Sequence, residues 1–191
     1  MDIELKQLTK LFDNKIVLNS LNMSIQEGRI NCLMGASGIG KTTLVNIIMG
    51  LVKPDFGEVM GLQGKQIAAV FQEDRLIEHW NAIKNIELVC GRDITKDRII
   101  QELTKLNLQD DKDKPVKDYS GGMRRRVAIV RAILAQSELL ILDEPFRGLD
   151  LDLKRKTIEY IKQSTKGKTV IIVTHERDDV ALLEANLITL V

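Results

Sequence analysis

"GASGIGKT", Gly35 to Thr42, decides the fold, because of what flanks it: the apolar run "GRINCLM" before it and "KTTLVNIIMGL", with apolar residues at helical spacing, after it. A buried strand thus runs through a small-residue loop into a helix, matching the spacing G-x-x-x-x-G-K-[ST]. Glycines let the loop backbone curl so that successive N–H groups point inward at phosphate oxygens, a concavity that bulky side chains would fill. Gly35, Ala36, Ser37, Gly38, Ile39, Gly40, Lys41, Thr42 and Thr43 are therefore the candidate phosphate-binding set. Lys41 brings a mobile positive charge to the β and γ oxygens, and Thr42 a hydroxyl suited to Mg²⁺. A Gly-rich turn that merely preceded a helix would leave the complete spacing and the Lys-Thr pair unaccounted for. By itself the loop says nucleoside triphosphate and little more.

A second small-residue turn, Ser120-Gly121-Gly122 in "VKDYSGGMRRRV" (116–127), also stands at the start of a helical pattern. A helix N-terminus offers unpaired donors and a positive dipole end. One chain carries two turns that could each hold phosphate oxygens on backbone N–H groups.

Working outward, "LLILDEP" (139–145) is an apolar strand ending on two carboxylates. Ligands of parallel sheets bind at the carboxyl ends of strands, which gives Asp143 to the metal and Glu144 to the attacking water. Asp-Glu-Pro is also a common exposed turn; the cradle upstream favours the functional reading. His175 closes "TVIIVTH", and Gln72 closes "IAAVFQ". Each puts one polar group at the end of an apolar strand, within reach of metal, water or γ-phosphate. A strand-end histidine is often only a surface or capping residue, and glutamine is a common loop residue.

The rest of the chain supports an α/β fold. "IELKQL" and "IVLNSLNMSI" alternate as an antiparallel β region, "GEVM" reads as a further strand, and residues 73–118 turn charged and helical, an inserted lobe. Helix and strand then alternate to the last strand, "LITLV", as a parallel sheet with right-handed crossovers requires. The expectation is one domain over 1–191, a P-loop NTPase with a mostly parallel sheet core. Lys plus Arg number 28 against 27 Asp plus Glu, which supplies no general drive toward nucleic acid. No run reaches the roughly 18–20 apolar residues of a membrane span, and the N-terminus lacks a signal-peptide core. A cytoplasmic chain is expected. Cys32 and Cys90 lack metal-ligand spacing and read as buried free thiols, Trp80 as a packing residue, and Arg124, Arg125 and Arg126 as a solvated or salt-bridged helix face.

In this order the motifs resemble the ATP-binding cassette ATPases over nearly the whole chain. "GASGIGKT" matches Walker A, Gln72 the Q-loop, "YSGGM" the signature, "LLILDEP" Walker B with its catalytic acid, "GLD" (148–150) the D-loop and His175 the switch histidine. Ser-Gly-Gly opening a helix shortly before "LDEP" is the most specific of these. The resemblance implies two cassettes packed head to tail, with ATP between Walker A of one and Ser120, Gly121 and Gly122 of the other, and Mg²⁺ held by Thr42, Gln72 and Asp143. It further implies an adenine-stacking aromatic at Phe12, the lesser alternative being a core residue of the N-terminal β region. Tyr119, Met123 and Arg147 depart from the family pattern, and the lobe is short.

The family's transporters couple such a subunit to a separate permease at the inner face of the cell membrane. "AAVFQEDRLI" with "YSGGMRRRVAI" most resembles the nitrate, sulfonate and taurine importer group. The alternative is a soluble cassette ATPase serving metal-cluster assembly, nucleic acid or ribosomes. A P-loop kinase or GTPase leaves Ser120 to Gly122 and His175 without a role.

Overall fold

Alternating apolar residues fold the N-terminus into a twisted ribbon of β1 (Ile3–Phe12) and β2 (Lys15–Ile25), closed by a turn in which Asp13 and Asn14 take positive φ. β4 (Phe56–Met60) pairs antiparallel with β1 on its other edge, giving a three-stranded sheet in the order β2-β1-β4. The computed structural model describes residues 1–91 and 94–191; positions 92 and 93, inside the expected helical segment 73–118, lie outside the described residues.

The second sheet is parallel throughout. Its strands are β3 (Ile30–Met34), β5 (Ile67–Val70), β6 (Leu139–Asp143), β7 (Thr169–Val173) and β8 (Asn186–Thr189), in the order β5-β6-β7-β3-β8. Side chains alternate across a strand, and the two faces feed two separate apolar clusters. Leu139 and Ile141 of β6 and Ile171 and Val173 of β7 pack with α1 (Lys41–Ile48) and the antiparallel sheet, around Leu44 and Ile48. Leu140, Leu142, Val170 and Ile172 pack on the other side against α4 (Gly121–Leu134) and α5 (Leu151–Ser164). A sheet buried on both faces needs continuous apolar runs, which is why "LLIL" and "TVIIV" show no alternation in the sequence.

Between β5 and α4 lie the short α2 (Ala82–Glu87) and α3 (Lys96–Lys105), whose Ile83, Ile86, Ile99 and Leu103 share the α4 cluster. Side chains of Asn81, Thr95 and Ser120 each accept an amide bond in the first turn of α2, α3 and α4, so local capping marks where each helix begins. α6 (Arg177–Leu183) leads into β8.

Three expectations need correction. Of the face read as solvated or salt-bridged, Arg125 and Arg126 are not solvated, each being only 5% exposed; Arg125 is salt-bridged to Asp74 at 3.2 Å, and Arg126 donates to the carbonyls of Gly122 and Leu106, because α4 is packed on nearly all sides and its charged groups must find partners inside. Trp80 is 37% exposed, standing just before the α2 cap at the rim of the helical segment. Cys32 is fully buried, its thiol pushed up to about 12 by burial, whereas Cys90 is only half-buried; both are free.

Leu140 is 1% exposed at the centre of the parallel sheet. Leu140→Ala should lower the unfolding free energy by about 2–5 kcal/mol through lost burial and an unfilled cavity, read from the shift of the denaturant midpoint.

Candidate active site

The loop between β3 and α1 is shaped by Gly40, which holds φ +109° against the ribbon; a Cβ there would stand 2.9 Å from Leu18 and 3.1 Å from the Val17 carbonyl. A left-handed backbone with no room for a side chain admits only glycine. No side chain caps the first turn of α1, so its amides remain available to a ligand. The Lys41 ammonium folds back over the mouth of the loop and donates to the carbonyls of Gly35 at 2.9 Å and Ala36 at 2.8 Å.

A cleft of about 390 Å³ opens over this loop. Ser37, Gly38, Gly40, Lys41, Thr42 and Thr43 line it on the loop side. Gln72, Asp143, Glu144 and His175 line it from the carboxyl ends of β5, β6 and β7. Residues far apart in sequence converge because β5, β6, β7 and β3 lie side by side and end on one edge. Asp143 continues the parity of Leu139 and Ile141, the face on which α1 lies. Ile39 turns into the apolar cluster beneath the loop. Phe12, at 46% exposure with the Lys10 ammonium 5.2 Å from its ring centroid, is not a core residue; it stands on the ribbon whose Val17 lines the cleft.

The acids differ in environment. Asp143 is 7% exposed, and its pKa is raised by burial first and by Glu144 second, against the opposing pull of Arg125, Lys41 and His175. Glu144 takes φ +49°, a conformation that costs a non-glycine residue about 1–2 kcal/mol. Its N–H donates to Val173 O at 3.0 Å, and its carboxylate lies 3.0 Å from His175 Nε2 and 3.6 Å from the Arg147 guanidinium. His175 is flanked by anchored neighbours: Thr174 donates to Asp179, the Glu176 N–H donates back to Thr174, and Lys154 bridges Glu176 and Asp179. Sequence reading missed Lys154 and Asp179; their signal, charges among apolar positions on two helices, is faint.

The second small-residue turn stands elsewhere. Ser120 is exposed and caps α4 by accepting from Met123 N at 3.2 Å, and Ser120 to Gly122 do not line the loop's cleft. A Cβ on Gly122 would meet the Gly148 carbonyl at 3.1 Å, so this turn packs on the "GLD" turn at 148–150. Tyr119 is buried and donates its hydroxyl to the Asp111 carbonyl, which anchors the approach to the turn.

Comparison with protein families gives a match to the model described as "ABC transporter" over residues 18–147. The chain belongs to this family. A spermidine/putrescine import ATP-binding protein, PotA, of Mesoplasma florum is 32% identical over 194 residues, covering 93% of this chain and 55% of the relative. An Fe(3+) ions import ATP-binding protein, FbpC, of Escherichia coli O157:H7 is 31% identical over 193 residues, covering 93% of this chain and 56% of the relative. The chain thus spans about half the length of the curated relatives it matches. The solved structure described as the dimeric structure of MJ0796, a bacterial ABC transporter cassette, superposes with a TM-score of 0.86 at 29% identity, covering 98% of this chain and 94% of that one.

Because the folded state raises the Asp143 pKa, it binds this proton more tightly than the unfolded chain does. The associated stability is present at low pH and is lost as pH rises from the ordinary carboxylate range through the raised value. Asp143→Asn should therefore raise the denaturation midpoint of the nucleotide-free protein at neutral pH, and the gain should vanish on acidification, as read from denaturant titrations across pH.

Proposed function

We propose that this chain is the ATP-binding and ATP-hydrolysing subunit of a membrane importer, acting as a head-to-tail pair of cassettes. The observation that carries the reading is the separation of the two half-sites: the Gly35 to Thr43 cradle shares a cleft with Gln72, Asp143, Glu144 and His175, while Ser120 to Gly122 stand outside it at a helix N-terminus. A second copy turned by a two-fold axis supplies the missing half to each cleft. We take residues 1–191 as one ATP-binding domain with its helical lobe at about 73–118, supported by apolar clusters that join both sheets and the intervening helices.

Within this reading the loop amides and Lys41 hold the β- and γ-phosphates, Phe12 stacks on adenine, and Ser120 with the Gly121 and Gly122 amides binds the γ-phosphate held by the partner. The Thr42 hydroxyl, the Gln72 amide oxygen and the Asp143 carboxylate are the hard oxygen donors Mg²⁺ prefers. Asp143, pushed up by burial, is the carboxylate a divalent charge would keep ionised. When bound, Mg²⁺ supplies neutralisation of phosphate charge. Glu144 accepts a proton from the water that attacks the γ-phosphorus, and His175 holds the Glu144 carboxylate in place while its ring faces the cleft. ATP then bridges two chains, and its hydrolysis removes the bridge, turning chemistry into opening.

A separate permease chain is the partner, at the inner face of the cell membrane, and no direct nucleic-acid contact is part of the reading. Among the described residues no helix is long and apolar enough to cross a membrane; in this reading that path belongs to the permease. The names of the relatives, spermidine/putrescine and Fe(3+) import proteins, support import. The motifs around Gln72 and Ser120 lean toward the nitrate, sulfonate and taurine group. Cargo is met by permease and binding protein, so copurification decides among these.

Tagged protein drawn gently from its source membranes should bring a polytopic membrane protein in stoichiometric amount; only soluble partners, from protein that still hydrolyses ATP, would favour the soluble alternative. Glu144→Gln should keep ATP binding, slow turnover by about 10²-fold or more and trap an ATP-bound dimer on size-exclusion chromatography. Lys41→Ala should weaken ATP affinity by about tenfold or more in a binding titration, since a charge-assisted phosphate contact is lost. Unchanged affinity would count against the cradle.

A further inference from the structure

Two arginines of α4 reach across to the segment that carries Gln72. Arg125 donates from Nη1 to the Phe71 carbonyl at 2.5 Å and from Nη2 to the Gln72 carbonyl at 2.6 Å. It also lies 3.2 Å from the Asp74 carboxylate, an ion pair without hydrogen-bond alignment. Arg131 donates to the carbonyls of Asp74 at 2.9 Å and Arg75 at 2.8 Å. The Arg75 guanidinium stacks 3.5 Å from the centroid of the Phe71 ring, closing the segment on itself. Four of the five carbonyls between Phe71 and Arg75 are thus held by one helix. The Gln72 side chain, by contrast, is exposed and faces the cleft, and among the described residues it has no hydrogen-bond partner.

A planar guanidinium presents a rigid fork of donors that fixes two neighbouring carbonyls in one plane, an orientation that the rotatable ammonium of a lysine does not impose. Arg125 is 5% exposed, so the bonds form away from competing water. The helix that carries both arginines begins at the Ser120 cap, and Arg125 lies within about 8 Å of that cap along the axis.

We propose that Arg125, assisted by Arg131, is a positioning residue for Gln72: it fixes the main chain of 71–75 to α4, so that the Gln72 amide and the Ser120 to Gly122 turn move as one body. In a head-to-tail pair this body touches both nucleotides, its own chain's through Gln72 and the partner's through Ser120. The inference rests on the reading of the cleft as an ATP site and adds to it a residue outside the cleft.

The test is a double-mutant cycle on the protein in the form in which the wild type hydrolyses ATP, with any membrane partner retained. Arg125→Gln should lower kcat about tenfold while KM for ATP changes less than about twofold, because ground-state phosphate contacts are untouched. In a Gln72→Ala background the same substitution should cost less than about twofold, since the group it positions is already gone. Arg125→Lys, which keeps charge but lacks the planar fork, should fall between, and it takes the place of Arg125→Gln in the cycle if that variant does not fold. Wild-type kcat in the Arg125 variant, losses that multiply in the double variant, a rise in KM alone, or a Gln72→Ala variant with unchanged kcat each overturn the proposal. Glu144→Gln measured in parallel separates the two levels: retained turnover there sinks the site reading, whereas the cycle decides the role of Arg125.

Discussion

Burial of the parallel sheet on both faces is the constraint from which the rest of the molecule follows. Because β6 and β7 are covered by α1 and the antiparallel sheet on one side and by α4 and α5 on the other, every position from Leu139 and from Val170 onward is apolar until the strands emerge at their carboxyl ends. Exposed polar groups then gather at that edge, while Asn31 of β3 and Thr169 of β7 are buried and held by local hydrogen bonds. Gln72, Asp143, Glu144 and His175 all lie there, and the loop of Gly35 to Thr42 opens at the end of the neighbouring β3. The chemistry gathers at one edge because the sheet leaves it no other place.

That edge is electrostatically divided. Asp143 sits deep enough that burial holds its carboxyl toward the protonated form, while Glu144, one residue on, turns by a left-handed backbone toward His175 and Arg147. Adjacent acids thus stand in different surroundings, which supports the separate roles proposed for them. Arg147 is 63% exposed, so its attraction for Glu144 is weak in water and strengthens only if a surface covers it.

The helix α4 ties these parts together. Its N-terminal turn carries Ser120, its buried side carries the apolar cluster of the helical segment, and its arginines grip the backbone from Phe71 to Arg75. The close pass of Gly122 over Gly148 adds the "GLD" turn to the same body. Packing, rather than a continuous stretch of chain, connects the cleft over Gly35 to Thr43 with the Ser120 to Gly122 turn.

The glycine loop between strand and helix, the acid pair, the strand-end His175 and Gln72, the antiparallel ribbon and the parallel sheet were all legible in the sequence as structural features, because each rests on local rules: glycine spacing, apolar period and capping chemistry act over a few residues. The partnerships of Arg125 and Arg131, the anchoring of His175 through Lys154 and Asp179, the exposure of Phe12 and Trp80 and the turning of Glu144 toward Arg147 were decided by tertiary structure alone. An arginine in the sequence shows its charge but not its surroundings. Whether it is solvated or buried against a carbonyl depends on which elements the fold packs beside it, and "MRRRV" carries no record of the loop at 71–75.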